Sequence, residues 1–250
     1  MMDIHAIPAF EDNIIWALES AGELVVVDPG DASPVIDFLA ARHLRLSGIL
    51  ITHHHGDHTG GIAHLLEYGK ANQSPATPVF GPERCRDYGV TETVEEGATV
   101  SLFGNTLRLS VLFCPGHTTD HVAYFGTPAG RAPMLFCGDT LFAGGCGRLL
   151  GGTAEQLYHS LQRFTTLPPA TEVYCAHEYT LSNLLFAAAT LPDHPQIRQR
   201  LADVRDLRAK AICTLPSSIA IEKITNPFLL AESLDAFTAR RRAKDSFRPA

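Results

Sequence analysis

Residues 49–61 read ILITHHHGDHTGG, from Ile49 to Gly61. The apolar opening Ile49-Leu50-Ile51 predicts a buried strand that carries the chain into a core. It runs at once into His53, His54, His55, Asp57 and His58, with Gly56, Gly60 and Gly61 allowing tight turns around them. Imidazole and carboxylate are donors that zinc, iron and manganese accept, and a loop at a strand end can aim several of them at one point. A solvated loop has no need of such a density of histidine. The stretch predicts a metal site built on the end of a strand.

The surrounding segments fit a layered core. Asn13–Ser20 and Glu23–Asp28 are expected to be strands joined at Ala21-Gly22, the second ending in Asp28-Pro29-Gly30. Ser33 is placed as a helix N-cap, with Pro34 opening an amphipathic helix to about Arg42. A strand over 47–52 precedes the histidine loop, and a short helix, Ile62–Tyr68, follows it. Lys70–Pro78 is expected as a surface loop. Gly104-Asn105 joins strands at Thr99–Phe103 and Thr106–Phe113 in a hairpin pattern. Further strands are expected at His121–Gly126, Met134–Cys137 and Val173–Cys175. Thr153-Ala154-Glu155-Gln156 has the form of a capping box that opens a helix to about Phe164. Beyond Thr180 the patterns are helical (180–190, 195–211, 232–244), with no convincing strand. Strands and helices in short alternation indicate layers, with a helical region after residue 178.

Composition narrows the function. The chain has 250 residues, 45% hydrophobic and 19% charged, as in ordinary globular proteins. A formal charge of −7 gives no basic footprint for nucleic acid. No apolar run reaches membrane-spanning length, and the start MMDIHAIPAFEDN lacks an export pattern. Cys85, Cys114, Cys137, Cys146, Cys175 and Cys213 are scattered, without a C-x-x-C pair. That predicts free thiols and a cytoplasmic location.

Three more donors share one placement, each after an apolar strand and in a turn marked by glycine, proline or alanine. They are His117 in FCPGHTTDH, Asp139 in LFCGDTLF and His177 in VYCAHEYT. Together with H-x-H-x-D-H over residues 53–58, they resemble the ligand pattern of the metallo-β-lactamase superfamily. The resemblance implies an α+β protein, a four-layer αβ/βα sandwich, with residues 1–178 as catalytic domain and 179–250 as a helical substrate-binding domain. It implies that His53 and His55 serve one metal and that Asp57 and His58 serve a second, with His117 and His177 as further ligands. Asp139 would bridge the two ions, and Asp57 would lie near a bridging hydroxide. His54 fills a variable position, and His121 is read as structural or as a residue that supports a ligand. The implied cofactors are two divalent transition-metal ions, zinc first, with iron or manganese as alternatives.

Nearly the whole chain is similar to one branch of that superfamily. CGDTL (Cys137–Leu141), Gly145-Cys146-Gly147-Arg148, AHEYT (Ala176–Thr180), Asn226-Pro227-Phe228 and Arg241-Arg242-Ala243-Lys244-Asp245 resemble glyoxalase II, the hydroxyacylglutathione hydrolases. The resemblance implies hydrolysis of S-D-lactoylglutathione to glutathione and D-lactate, the second step of methylglyoxal detoxification. It also implies that Arg148, Tyr179, Arg241 and Lys244 hold the glutathione, in a monomer with no nucleic-acid or membrane partner. Three positions depart from the pattern. Leu150 stands where an aromatic is usual, Ala176 where glycine is usual, and Leu230 where arginine is common. Two other readings share the ligand chemistry: a mononuclear-iron persulfide dioxygenase and a metallo-phosphodiesterase. The helical tail speaks against the first and the acidic balance against the second. A non-catalytic metal-binding scaffold is disfavoured because all seven ligands are retained.

Overall fold

A computed structural model describes residues 2–72 and 75–248. The chain forms two compact units, one from the residues up to Phe113 with Asp120–Ala129, the other from Cys114–Thr119 with Gly130 onward.

In the first unit, β1 (Asp3–Ala9), β2 (Asn13–Ser20) and β3 (Glu23–Val27) form an antiparallel meander. Helix α1 (Ser33–Arg42) then crosses to β4 (Arg45–Leu50), which pairs parallel with β3. The ligand loop follows, with one helical turn, α2 (Gly56–Thr59), and then α3 (Ile62–Ala71). Strands β5 (Val79–Gly81) and β6 (Glu92–Thr93) extend the parallel side. Central strands covered on both faces read as unbroken apolar runs, and Leu24–Val27 and Ile49–Ile51 are buried throughout. Strands β7 (Thr99–Leu102), β8 (Leu107–Phe113) and β9 (Val122–Gly126) pair antiparallel. In β8 the alternation is plain: Leu107, Leu109 and Val111 point inward while Arg108 and Ser110 face water. Tyr124 in β9 ties this layer to the first sheet, its hydroxyl donating to the Ile51 carbonyl at 2.8 Å.

In the second unit, β10 (Met134–Gly138) pairs parallel with β13 (Glu172–Cys175), which also pairs antiparallel with β14 (Ser217–Ser218). Between β10 and β13 lie a miniature hairpin, β11 (Leu141–Phe142) and β12 (Gly145–Cys146), and helix α4 (Ala154–Phe164). The capping box on α4 forms in full: Gln156 N–H donates to Thr153 Oγ1 at 3.1 Å, and Thr153 N–H to Gln156 Oε1 at 2.9 Å. The tail comprises α5 (Thr180–Thr190), α6 (Pro195–Arg208), α7 (Ile219–Thr225) and α8 (Leu234–Ser246).

Several expectations change. Asp3–Ala9 is a strand although it carries Pro8, which an edge strand tolerates because its outer N–H is not needed. Ser33 is the first helical residue rather than the cap, and its N–H is taken by Asp31 Oδ1 at 2.9 Å. Lys70 and Ala71 extend α3 instead of opening the loop, and residues 73–74 of that loop lie outside the described residues. The tail is not free of strands, because Ser217–Ser218 adds to the edge of β13. Among the described residues, no helix is long and apolar enough to cross a membrane.

Candidate metal centre

The first unit gathers its donors at the carboxyl ends of parallel strands. Strand β4 delivers His53, buried, and the one-turn helix α2 carries Asp57 and His58. Candidate ligand atoms of His53 and His55, of His53 and His58, and of Asp57 and His58 lie within 4.8 Å of each other. The loop holds this shape because glycines let backbone approach backbone. A Cβ on Gly30 would sit 1.9 Å from the Asp57 carbonyl oxygen, and one on Gly61 2.4 Å from that of Pro29.

A residue that sequence reasoning left at a strand end orders the ring nitrogens. Asp28, buried and at φ +52°, accepts the Thr52 N–H at 2.8 Å and the Thr52 hydroxyl at 2.7 Å. Its carboxylate also lies 3.0 Å from His58 Nδ1. A carboxylate only accepts, so the nearer contact favours the proton on His58 Nδ1, with Nε2 3.5 Å from Asp57 Oδ2 and available as a donor to a metal. The Thr52 hydroxyl has given its hydrogen to Asp28, so it accepts from His53 Nδ1 at 3.1 Å. That leaves His53 Nε2 as the lone-pair nitrogen, 2.9 Å from His55 Nδ1. One aspartate thus sets the tautomers of two imidazoles. Asn13 in β2, also missed, donates to the Asp57 carboxylate at 3.2 Å and carbonyl at 3.3 Å. The only sequence signal for Asp28 is a carboxylate directly after an apolar strand, before Pro-Gly. His121 stacks on His53 at 4.8 Å, and His54 faces Asp120 at 3.3 Å.

The second unit brings together His117, Asp139 and His177. Parallel pairing of β10 and β13, with a bulge at Cys137, sets the strand ends side by side and so places Asp139 next to His177. Asp139 turns one oxygen to each histidine, Oδ2 3.4 Å from His117 Nε2 and Oδ1 3.3 Å from His177 Nε2. His117 Nδ1 donates to the Arg148 carbonyl at 2.8 Å, which fixes its tautomer with Nε2 toward Asp139. Tyr179 stacks flat on the His177 ring, 4.8 Å away and 2° from parallel, and Phe142 meets the same ring edge-on. Burial first of all pushes the neighbouring thiols up, Cys146 to about 11 and Cys175 to about 12, so neither competes as a thiolate ligand.

Each set has the chemistry of a divalent transition-metal site: buried imidazoles with oriented lone pairs, and a carboxylate with two oxygens to share. The residues present therefore fit the metals expected for them.

The tail of the second unit adds a basic locus. Arg241 is buried, donating to the Cys146 and Gly147 carbonyls at 2.8 and 3.3 Å and to Asp245 at 3.0 Å. Arg148 is exposed, 3.9 Å from the same carboxylate. Lys244 donates to the Ser182 carbonyl and hydroxyl, both at 3.1 Å, in the first turn of α5, which Tyr179 caps. Burial, then Arg241 and Arg148, pulls the Lys244 ammonium down to about 8. The four residues expected to hold substrate thus fall into one cationic group, Arg148, Arg241 and Lys244, with Tyr179 on the metal-ligand side. Leu150 is exposed.

Known proteins agree with this architecture. Residues 14–177 match the metallo-beta-lactamase superfamily, and residues 178–247 match the hydroxyacylglutathione hydrolase C-terminus. A hydroxyacylglutathione hydrolase from Hahella chejuensis is 50% identical over 93% of this chain and 87% of that relative. Another, from Photobacterium profundum, is 45% identical over 99% of this chain and its own full length. Among solved structures, ETHE1 from Myxococcus xanthus superposes with a TM-score of 0.70 at 25% identity, covering 99% of this chain and 93% of that one. TTHA1623 in a di-iron-bound form gives a TM-score of 0.60 at 25% identity, over 91% and 100% of the two chains. The fold is thus the α+β metallo-β-lactamase fold with a helical C-terminal region. The chain belongs to the hydroxyacylglutathione hydrolase family of the metallo-β-lactamase superfamily.

Proposed function

We propose that the chain hydrolyses S-(2-hydroxyacyl)glutathione, chiefly S-D-lactoylglutathione, to glutathione and D-lactate, with two divalent metal ions held by His53, His55, Asp57, His58, His117, Asp139 and His177. The observation that carries this reading is Asp139, a carboxylate that turns one oxygen toward each of two buried histidines. That arrangement suits a ligand shared between cations about 3.5–4 Å apart. Zinc is the first choice, with iron or manganese next, since nitrogen and oxygen donors do not separate them. The di-iron form of TTHA1623 supports a pair of ions.

Once bound, the ions would supply a nucleophile from water at neutral pH and polarise the thioester carbonyl. The chain's own residues do the rest. Asp28, directly and through Thr52, keeps the lone pairs of His58 and His53 turned outward. The Arg148 carbonyl does the same for His117. Lys244 and Arg148 would pair the glutathione carboxylates. Arg241, its guanidinium engaged by two carbonyls and Asp245, would add charge to the same locus. Tyr179, half-buried against His177, would meet the thioester end of the substrate. A thiol of ordinary pKa, about 8.5, leaves as thiolate without a strong general acid.

The reading includes a catalytic domain to residue 178 with a substrate-binding tail, and a cytoplasmic monomer without nucleic-acid or membrane partners. Scattered, mostly buried free cysteines support the cytoplasmic part. The test is release of thiol from S-D-lactoylglutathione by protein of measured metal content. Two ions per chain, turnover, and loss of both on chelation are expected. Full turnover by metal-free protein would overturn it, as would oxygen consumption with glutathione persulfide in place of hydrolysis.

A further inference from the structure

The hairpin of β11 and β12 has two residues in each strand, joined at Ala143-Gly144. An isolated hairpin is marginal in water even at several times that length. This one is nonetheless buried along 141–147. Its backbone groups are taken, one after another, by side chains of the tail. Asn226 Nδ2 donates to the Phe142 and Gly145 carbonyls at 3.2 and 2.9 Å. Asn183 Nδ2 donates to the Ala143 carbonyl at 3.1 Å. Gly144 N–H donates to Glu222 Oε2 at 2.8 Å, and Arg241 completes the series at the Cys146 and Gly147 carbonyls.

Asn183, Glu222, Asn226 and Arg241 are each no more than 4% exposed, so each is a polar side chain withdrawn from water to read the hairpin backbone. Glu222 is neutralised in turn by Arg200, 2.7 Å away on α6, and also accepts from Asn226 and Ser217. Lacking these partners the hairpin would hold bare carbonyls, and the tail a buried carboxylate and amides with nothing to bond. Each such orphan costs about 1–3 kcal/mol.

The hairpin is also the part of the second unit that touches all three donors. Asp139 enters it. Phe142 meets the His177 ring at 5.8 Å. At its exit the Arg148 carbonyl holds His117 Nδ1, and Gly147 lies so close beneath Asp139 that a Cβ there would be 2.0 Å from the Asp139 carbonyl oxygen. A shift of the hairpin would therefore be felt at His117, Asp139 and His177 together.

We propose that Asn226, with Asn183, Glu222 and its partner Arg200, is a positioning device for the metal ligands of the second unit, so that the helical tail sets metal affinity as well as holding substrate. The inference rests on the metal-ligand reading above. Asn226, Asn183 and Glu222 bond the backbone of residues 142–145, and Arg200 bonds Glu222, so the four act through the hairpin backbone. Removing a residue bonded directly to a metal ligand typically lowers affinity about 10- to 100-fold, and these residues act one step further out, so the lower figure applies.

The test is a cobalt(II) titration of metal-free protein against a competing chelator, with the visible spectrum of the bound ion recorded and thermal unfolding of the metal-free form run beside it. In Asn226→Ala, which strips two carbonyls of their donor, cobalt affinity should fall about tenfold and the spectrum should change. Asn183→Leu, similar in volume and one hydrogen bond poorer, should show a smaller change in the same direction, and it decides the matter alone if Asn226→Ala does not fold. A lowered unfolding temperature with unchanged affinity and spectrum would overturn the proposal and leave these residues a purely structural part. Failure of the wild type to bind two cobalt ions would instead refute the ligand assignment.

Discussion

Replacing Lys244 by alanine removes an ammonium whose surroundings state what it lacks. Among the described residues two of its three N–H donors are met by Ser182, and the ammonium lies 5.6 and 5.7 Å from the Phe186 and Phe247 rings, so the third N–H is the one a carboxylate would take. A hydrogen bond to a charged group contributes about 1.5–3 kcal/mol, and about 1.4 kcal/mol is tenfold in affinity. One bond at a half-buried site lies near the lower figure, so KM for S-D-lactoylglutathione should rise about tenfold. The contact is remote from the thioester and acts alike on ground and transition states, so kcat should stay within about twofold. A small thioester without the glutathione carboxylates should be turned over equally by both proteins. Acidity gives a second handle. Burial and the two arginines hold Lys244 at about 8, so the free protein loses this charge as pH climbs through 8. A bound carboxylate favours the charged form, so wild-type KM should rise above that pH, while Lys244→Arg, which stays charged, should remove the alkaline limb. Initial rates of thiol release from pH 6 to 10 measure both effects. If Lys244→Ala lowers thermal stability but leaves KM and its pH dependence unchanged, the lysine serves only to tie α8 to Ser182 of α5 and the reasoning fails.

Asp139→Asn should reduce bound metal below two per chain and abolish most turnover, because a neutral amide cannot serve two cations; metal analysis with normal content and near-normal kcat would contradict the shared-ligand reading. Asp28→Asn, at a residue outside the seven expected ligands, should weaken metal binding about 10- to 100-fold by releasing the tautomers of His53 and His58, as read by chelator competition. Gly147→Ala should have a similar effect for a steric reason, since its Cβ would fall 2.0 Å from the Asp139 carbonyl oxygen; a variant with wild-type metal affinity would mean the hairpin yields freely.

What the sequence disclosed follows from where the information sits. NIIWALES and ELVVVD announce β2 and β3 by composition, and T-A-E-Q announces α4 by a bond pattern complete within four residues. Five of the seven expected ligands lie in loops after apolar strands, and Asp57 and His58 lie on the one-turn helix that follows β4, so local context marks each as a candidate. Their convergence within each unit depends on strand pairing, which local context does not contain. Strand β1 was obscured by Pro8 and by polar residues on its outer face, and β14 by its length of two residues, set by the edge of β13 rather than by propensity. Asp28 looked like a turn residue because its partners, Thr52 and His58, lie more than twenty positions away. Glu222 was invisible for the same reason at greater range: its meaning is the N–H of Gly144, 78 positions before it.

The buried cysteines carry a chemical consequence. With Cys146 pushed up to about 11, roughly one molecule in ten thousand bears a thiolate there at pH 7, and Cys175, pushed to about 12, bears fewer still. Disulfide exchange proceeds only through the thiolate and needs room for the approaching sulfur. Under the proposed reaction glutathione is released at every turnover, and any oxidation of it supplies glutathione disulfide. Sulfur atoms kept protonated inside the second unit stay out of that exchange, so they do not attack glutathione disulfide to form a mixed disulfide and release glutathione.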